Sequence, residues 1–302
     1  KHFDVLNRDT APDIAMTSSC KGCDYWGFCS EGKPEHWVAT LPNLSPKKWA
    51  ELTTLNIDDI RDIPDYFPLT QIQDRIRQVL IDEETYVSNV LENALMELGP
   101  PAAYLDFETM APAIPLYLGT HSYQQLPFQW SLHRLDEAGE LTHEEFLAKA
   151  NADPRRAFSE SLIAVLKGSN EPILVYSSFE RTTINNLINL FPDLEDELYK
   201  IAERLKDLLP IVRSHIYHKG FKGKFSIKNV APALDQEISY QELDGVADGQ
   251  AASAIFERIA SGNLEKEENV VDLRASLLNY CELDTYAMVQ VHKALMVLTV
   301  AP

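Results

Sequence analysis

With 302 residues and 45% apolar side chains, the chain can bury a sizeable core, and it is expected to divide into one main domain and a smaller region. A net charge of −19 excludes a surface that is basic throughout, the usual mark of a general nucleic-acid binder, but leaves room for a local basic strip. No apolar run approaches the roughly 20 residues that span a bilayer and no signal-peptide pattern opens the sequence, so a cytoplasmic protein is expected; a start at Lys1 in folded-looking sequence suggests a piece of a longer polypeptide.

The first feature in chain order is CKGCDYWGFC, which places Cys20, Cys23 and Cys29 within ten residues. Four cysteines in all are too few for a disulfide framework, and such close thiolates point to metal ligation. A structural knuckle, zinc completed by a histidine such as His36, and an iron–sulfur cluster all fit. Residues 41–65 then carry two short helical patterns broken by Pro42, Pro46 and Pro64, with Ser45 as an N-cap before Pro46. The shape resembles a helix-hairpin-helix without its glycine turn. Helical periodicity over 69–98 ends at Gly99-Pro100-Pro101, a stop signal that divides the sequence into a helical region, 1–100, and a second domain, 101–302.

Past that boundary the pattern changes. AAYLDFE (102–108) predicts a strand, the alternation of Phe128, Trp130 and Leu132 a second over 128–136, and 141–148 a third. A helix over 154–167, a strand buried on both faces at PILVYS (172–177), helices over most of 179–204, a fifth strand near LKDLLPIV, and helices over 247–261 and 270–298 complete the reading. Three closely connected strands followed by strand and helix alternation predict an α/β domain with a mixed sheet, which places sites at strand carboxyl ends. The 19-residue connection from Thr109 to Pro127 contains Pro112 and Pro115 and ends at Pro127; it is either a stiff wall beside such a site or an ordinary packed insertion.

Asp106 and Glu108 flank Phe107 in the first strand and therefore project from one face. Two carboxylates that close repel, so they need a cationic partner, shared protons, an exposed strand end or a bound cation. Glu180 follows the buried strand at the opening of a helix, where an acid is also a favourable charge against the helix dipole. Tyr280 and Asp284 lie four apart in the last helix, hence on one face, where a structural hydrogen bond is the plain alternative. Asp207 and Asp248 are further carboxylates near these motifs. From Leu208 to Leu234 there is no acid, while Arg213, Lys219, Lys222, Lys224 and Lys228 fall in that window: a solvated basic loop, or a strip that holds phosphates with Phe221 and Phe225 stacking on bases.

A D-x-E on a first strand, an F-[DE] after a later buried strand and a Y-x3-D in a terminal helix, in that order, resemble the DEDD exonuclease superfamily, whose ribonuclease H-like fold gathers four acids around two divalent cations. More narrowly, YLDFETMAPAIPLYLGTHSYQQLPFQWSLH, VYSSFERT, GFKGKFSIKNVAPAL, DGVADGQAA and YCELDTYAMV look like a bacterial domain-of-unknown-function family of predicted nucleases, over essentially all of Ala102 to Leu298. In that family such a domain follows a RecB-like nuclease module with a cysteine-ligated iron–sulfur cluster, and Cys20, Cys23 and Cys29 resemble the last three ligands of such a cluster. Cys281 is a poor fourth ligand, expected on a different helix face from Asp284.

The resemblance implies a ribonuclease H-like mixed sheet flanked by helices with a smaller helical N-terminal region. It also implies a 3′–5′ exonuclease that acts on single-stranded DNA or RNA ends through two Mg²⁺ or Mn²⁺ ions and releases nucleoside monophosphates. Asp106 would bridge both ions, Glu108 and Asp284 complete one, Glu180 serve the other, and Tyr280 orient the attacking water. Positioned cations stabilise the charge that builds on a phosphodiester, and hard cations prefer oxygen ligands, which suits an all-acid set. Glu180 departs from the Asp commoner in the superfamily, and Ser177-Ser178 replaces an Asn-containing pair. A catalytically weak nucleic-acid-binding or scaffolding module of a RecB-like nuclease is the second reading. An acid-rich hydrolase such as a glycosidase is the third, but it leaves the Y-x3-D motif unexplained.

Overall fold

The computed structural model describes residues 16–240, 246 and 248–300. The chain forms two compact units. The first ends at Thr85 and takes in Lys222–Lys224; the second comprises Tyr86–Phe221 and Phe225–Pro302.

In the first unit, helix α1 (Pro46–Thr54) starts where Ser45 accepts a hydrogen bond from the Lys48 amide at 3.3 Å, with Pro46 in the first turn. The second pattern of 41–65 forms only a 3-10 turn, Ile60–Asp62, so the two-helix hairpin does not arise. Helix α2 (Gln71–Asp82) opens on a capping box between Thr70 and Gln73. It buries Ile76, Val79 and Leu80, and Trp37, Leu41, Leu52 and Ile63 are buried in the same unit. The helix predicted over 69–98 is broken. Glu83 takes a left-handed conformation at φ 58°, and Tyr86–Val87 pairs antiparallel with Ile216–Tyr217 before a short helix, Leu91–Leu95. Three consecutive acids, Asp82-Glu83-Glu84, followed by Thr85-Tyr86-Val87 favour leaving the helix for an extended chain. Gly223 belongs to this unit at φ +74°, where a Cβ would lie 2.3 Å from the Thr40 carbonyl oxygen, so only glycine fits.

The second unit is built on a mixed five-stranded sheet: β1 (Ala102–Met110), β2 (Leu126–Leu135), β3 (Leu141–Leu147), β4 (Ile173–Val175) and β5 (Leu205–Asp207), in the order β3-β2-β1-β4-β5. The pairs β1–β2 and β2–β3 are antiparallel; β1–β4 and β4–β5 are parallel. Helix α3 (Pro154–Leu166) connects β3 to β4, and α4 (Phe179–Leu190) with α5 (Glu195–Arg204) connects β4 to β5. Then follow α6 (Leu208–His215), α7 (Ile227–Leu234), α8 (Gly249–Ser261) and the long α9 (Val270–Val300). The fifth strand keeps only LKD of the predicted stretch. The residues after it enter α6, because Asp207 caps that helix by accepting from the Leu209 amide at 2.9 Å. Helix α7 lies in the window read as a basic loop or strip, and Ala247, the expected start of α8, lies outside the described residues.

Strand alternation gives the sheet two unlike faces. Ala103, Leu105 and Phe107 point into an apolar layer with Trp130, Leu132, Phe158, Leu162 and Ile184, the last three from α3 and α4. The opposite face carries Tyr104, Asp106 and Glu108, and α9 packs over β1 and β2. At its far end Met110, Leu126 and Phe128 meet Ile255 and Phe256 of α8; the Phe128 and Phe256 rings stack 4.0 Å apart at 4°. Among the described residues no helix is long and apolar enough to cross a membrane.

Candidate active site

Strand β1 runs two residues further than its apolar run suggests, so Asp106 and Glu108 are mid-strand rather than at a strand end. They nevertheless clear their neighbour: pairing of β1 with β4 ends at Tyr104, and β4 itself ends at Val175. The chain then turns through Tyr176-Ser177-Ser178 into α4, whose second residue is Glu180. Ser177 donates to Glu180 Oε2 at 3.3 Å, and Glu180 comes within hydrogen-bonding reach of Asp106. From α9, Asp284, buried at 8% exposure, acts on Asp106 and on Glu108, which is 7% exposed. Acids from β1, α4 and α9 thus converge on one place.

Their electrostatics follow from that convergence. Burial, then Asp284, Glu180 and Glu108, push the Asp106 carboxyl well above the usual carboxylate range. Burial and Asp284 do the same to Glu108, against the opposing pull of Lys228. Glu180 is pushed up to about 7, chiefly by burial, and Asp284 is raised by burial against hydrogen bonds from Tyr240 and Tyr280. The cluster holds protons in common that an isolated carboxyl would release. The alternative reading of Glu180 as a charge facing the helix dipole does not explain a side chain 3% exposed and turned to Asp106.

Tyr280 is buried at 3% exposure, in hydrogen-bonding contact with Asp284, and its hydroxyl is held above its ordinary range by burial and by Asp284. Lys228 stands over its ring at 4.7 Å and over the Tyr240 ring at 5.5 Å. Tyr240 donates to Asp284 Oδ1 at 2.8 Å; it lies 44 residues upstream in a stretch with no periodicity, so no sequence signal marked it. Cys281 corrects an expectation. Three residues before Asp284 on a helix is only about 60° short of a full turn, and Cys281 Sγ is buried 3.7 Å from Asp106 Oδ2.

The remaining candidates divide. Asp207 caps α6 and Asp248 caps α8, accepting from the Ala251 amide at 2.9 Å. Both are structural caps whose charge still raises a site acid, Asp207 for Glu180 and Asp248 for Glu108. Lys219 and Lys228 belong to the second unit, Lys222 and Lys224 to the first. Phe221 and Phe225 are core, 0% and 8% exposed in a cluster with Tyr217, and are not available to stack on bases. Cys20 is partly exposed and Cys23 and Cys29 are exposed, on the turn Ser18–Gly22 and the short helix Trp26–Cys29. Among the described residues, these thiols and His36 do not gather as a ligand group, whereas Asp106, Glu108 and Cys281 do, with one donor atom from each within 4.8 Å of the others. A cavity of about 620 Å³ lies between the proline-bearing connection, at His121, Tyr123 and Gln124, and α4, at Thr183, Asn186 and Asn189; the four acids do not line it.

A family model described as a domain of unknown function (DUF2779) matches residues 103–226, a stretch that holds Asp106, Glu108 and Glu180 and stops short of Tyr280 and Asp284. No curated protein and no solved structure matches the chain.

Proposed function

We propose that the second unit is a metal-dependent 3′–5′ exonuclease of the DEDD type with a ribonuclease H-like fold, hydrolysing phosphodiester bonds at single-stranded DNA or RNA ends. The observation that carries this reading is the convergence of Asp106, Glu108, Glu180 and Asp284 from three distant segments, where Asp284, Glu180 and Glu108 all raise the proton affinity of buried Asp106. An antiparallel meander followed by two parallel strands, with the acids on the strand between the two halves, supports the fold assignment.

The donor set suits hard divalent cations. It offers carboxylate oxygens without a histidine, buried and mutually repelling, so that replacing shared protons by Mg²⁺ or Mn²⁺ relieves the repulsion. Asp106 and Glu108 would hold such ions with Asp284 on one side and Glu180 on the other. Two bound ions supply clamping of the attacking and leaving oxygens of an in-line displacement. The chain's own groups do the rest. Tyr280, kept neutral because burial and Asp284 oppose its ionisation, is a hydrogen-bond partner that orients water without taking its proton. Lys228 places a positive charge beside Glu108 and Asp284, where an anionic phosphate must approach. Asp284 is fixed by Tyr240, so its carboxylate presents a set direction.

The sequence spacing of Cys20, Cys23 and Cys29 is that of three of the four thiolates of an iron–sulfur cluster, or of a zinc knuckle, and they are proposed as the end of an upstream RecB-like module, although their thiols do not gather as a ligand group among the described residues. Cys281 cannot complete that set, because it is buried against Asp106.

The test is incubation of 5′-labelled single-stranded DNA and RNA with the chain and Mn²⁺, beside Asp106→Ala. Progressive shortening from the 3′ end by the native chain alone is expected. Absence of shortening with every substrate, or equal shortening by the variant, refutes the exonuclease reading.

A further inference from the structure

The polar face of the sheet does not end at the acids. Along β2 and β3 it continues through Ser131 and His133, and through His143 and Glu145, because register pairs Asp106 with Ser131, Ser131 with Glu145, and His133 with His143. Over these strands α9 lays Glu282, Thr285 and Tyr286. The two imidazoles sit 4.5 Å apart, His133 at 4% exposure, and His143 Nδ1 is 3.7 Å from Glu282 Oε1.

We propose that His133, His143 and Glu282 form a second metal site, for Zn²⁺, distinct from the acidic centre and independent of the exonuclease reading. One donor atom from each lies within 4.8 Å of the others. In a tetrahedral shell with bonds of about 2.0–2.1 Å, donors are roughly 3.3 Å apart, so the 3.7 Å between His143 Nδ1 and Glu282 Oε1 is already close. Two imidazole nitrogens and one carboxylate oxygen select zinc over the hard cations suited to the four acids.

The surrounding hydroxyls orient both rings. Thr285 Oγ1 lies 2.8 Å from His133 Nδ1, and Ser131 Oγ lies 2.9 Å from His143 Nε2 and 2.8 Å from Thr285 Oγ1. Thr285 also donates back to the Glu282 carbonyl at 3.0 Å, which uses its one proton. Ser131 then donates to Thr285, and each ring must donate through the nitrogen it turns to a hydroxyl. Lone pairs are left on His133 Nε2 and His143 Nδ1, the nitrogens that can face a common ion with Glu282. Holding a ligating imidazole by its other nitrogen is what metal-bound histidines require. Glu145 lies two residues from His143 on the same face of β3 and stands next to the same place. A bound zinc would brace the outer strand β3 to α9.

The full chain is stripped of metal and re-equilibrated with Zn²⁺ in excess Mg²⁺, a competitor for all-oxygen sites. Bound zinc per chain is then counted after desalting. His143→Ala and Glu282→Gln are each expected to bind one equivalent fewer than the native chain, and Cys23→Ser is expected to keep that equivalent. Thr285→Val is expected to weaken zinc at this site about 10- to 100-fold, by releasing the His133 ring. Equal zinc content in the native chain, His143→Ala and Glu282→Gln overturns the site. Unchanged affinity in Thr285→Val overturns the orientation by hydroxyls. Glu282→Gln alters a half-exposed side chain and keeps the test valid if the histidine variant does not fold.

Discussion

Replacing Glu180 by Gln should make the metal-free protein more stable at neutral and alkaline pH. Glu180 is 3% exposed, and its carboxyl is pushed from 4.5 to about 7, burial being the main cause. Below pH 4.5 folded and unfolded chains both hold the proton, and Glu180 contributes no penalty. As pH rises from 4.5 to about 7 the unfolded chain releases its proton while the folded chain keeps it, so stability falls, and above about 7 the deficit stays constant. At about 1.4 kcal/mol per pH unit, this window is worth roughly 3 kcal/mol. Gln keeps the shape and can still accept from Ser177, but has nothing to titrate. Urea unfolding in a chelator should therefore find the two proteins of similar stability at pH 4 and the variant about 3 kcal/mol more stable at pH 8. Mn²⁺ at a hundred times its Kd should close most of that gap at pH 8, because an ion bound only by the folded state adds about 2.7 kcal/mol there, and the variant has lost a ligand. A variant less stable than the native chain by the same amount at both pH values would refute the account of Glu180 as a buried carboxyl that resists ionisation.

Three further outcomes follow from individual contacts. Tyr280→Phe removes a hydroxyl in contact with Asp284, a hydrogen bond to a charged group worth about 1.5–3 kcal/mol, so kcat should fall roughly 10- to 100-fold with Mn²⁺ affinity unchanged by titration calorimetry. Phe256→Ala leaves a void against the stacked ring of Phe128, both 0% exposed, and should cost the second unit about 3–5 kcal/mol in denaturant unfolding. Gly223→Ala forces a side chain at φ +74° onto the Thr40 carbonyl and should destabilise the first unit by about 1–3 kcal/mol, read as a lower midpoint for the Trp37 and Trp49 fluorescence transition.

Much of the framework was legible because its signals are local. The apolar alternation of β1 and β2, the Ser45-Pro46 start of α1 and the paired acids of LDFE each follow from chemistry within a few residues. What escaped depends on distant partners. Helix α7 carries Lys228 and an internal Pro232, and its buried Val230 and Ala231 are too few to set a visible period. The break after α2 is stabilised by pairing with Ile216–Tyr217, well over a hundred residues away. Tyr240 and Cys281 join the acids only through the tertiary fold. His133 and His143 become neighbours only once the register of β2 and β3 is known.

The alternation of β1 bears also on how the chain selects its fold. Leu105 and Phe107 enter the apolar layer while Asp106 and Glu108 face α9. Sliding β1 by one residue against β2 would exchange these sets, driving two carboxyls among Trp130, Phe158 and Leu162 and exposing two large apolar side chains to the polar face. A strand of uniform apolar character would tolerate that slip far better. The acids proposed for catalysis therefore act earlier as well, during folding, as a proofreading mark on strand register that makes the misaligned sheet the less stable one.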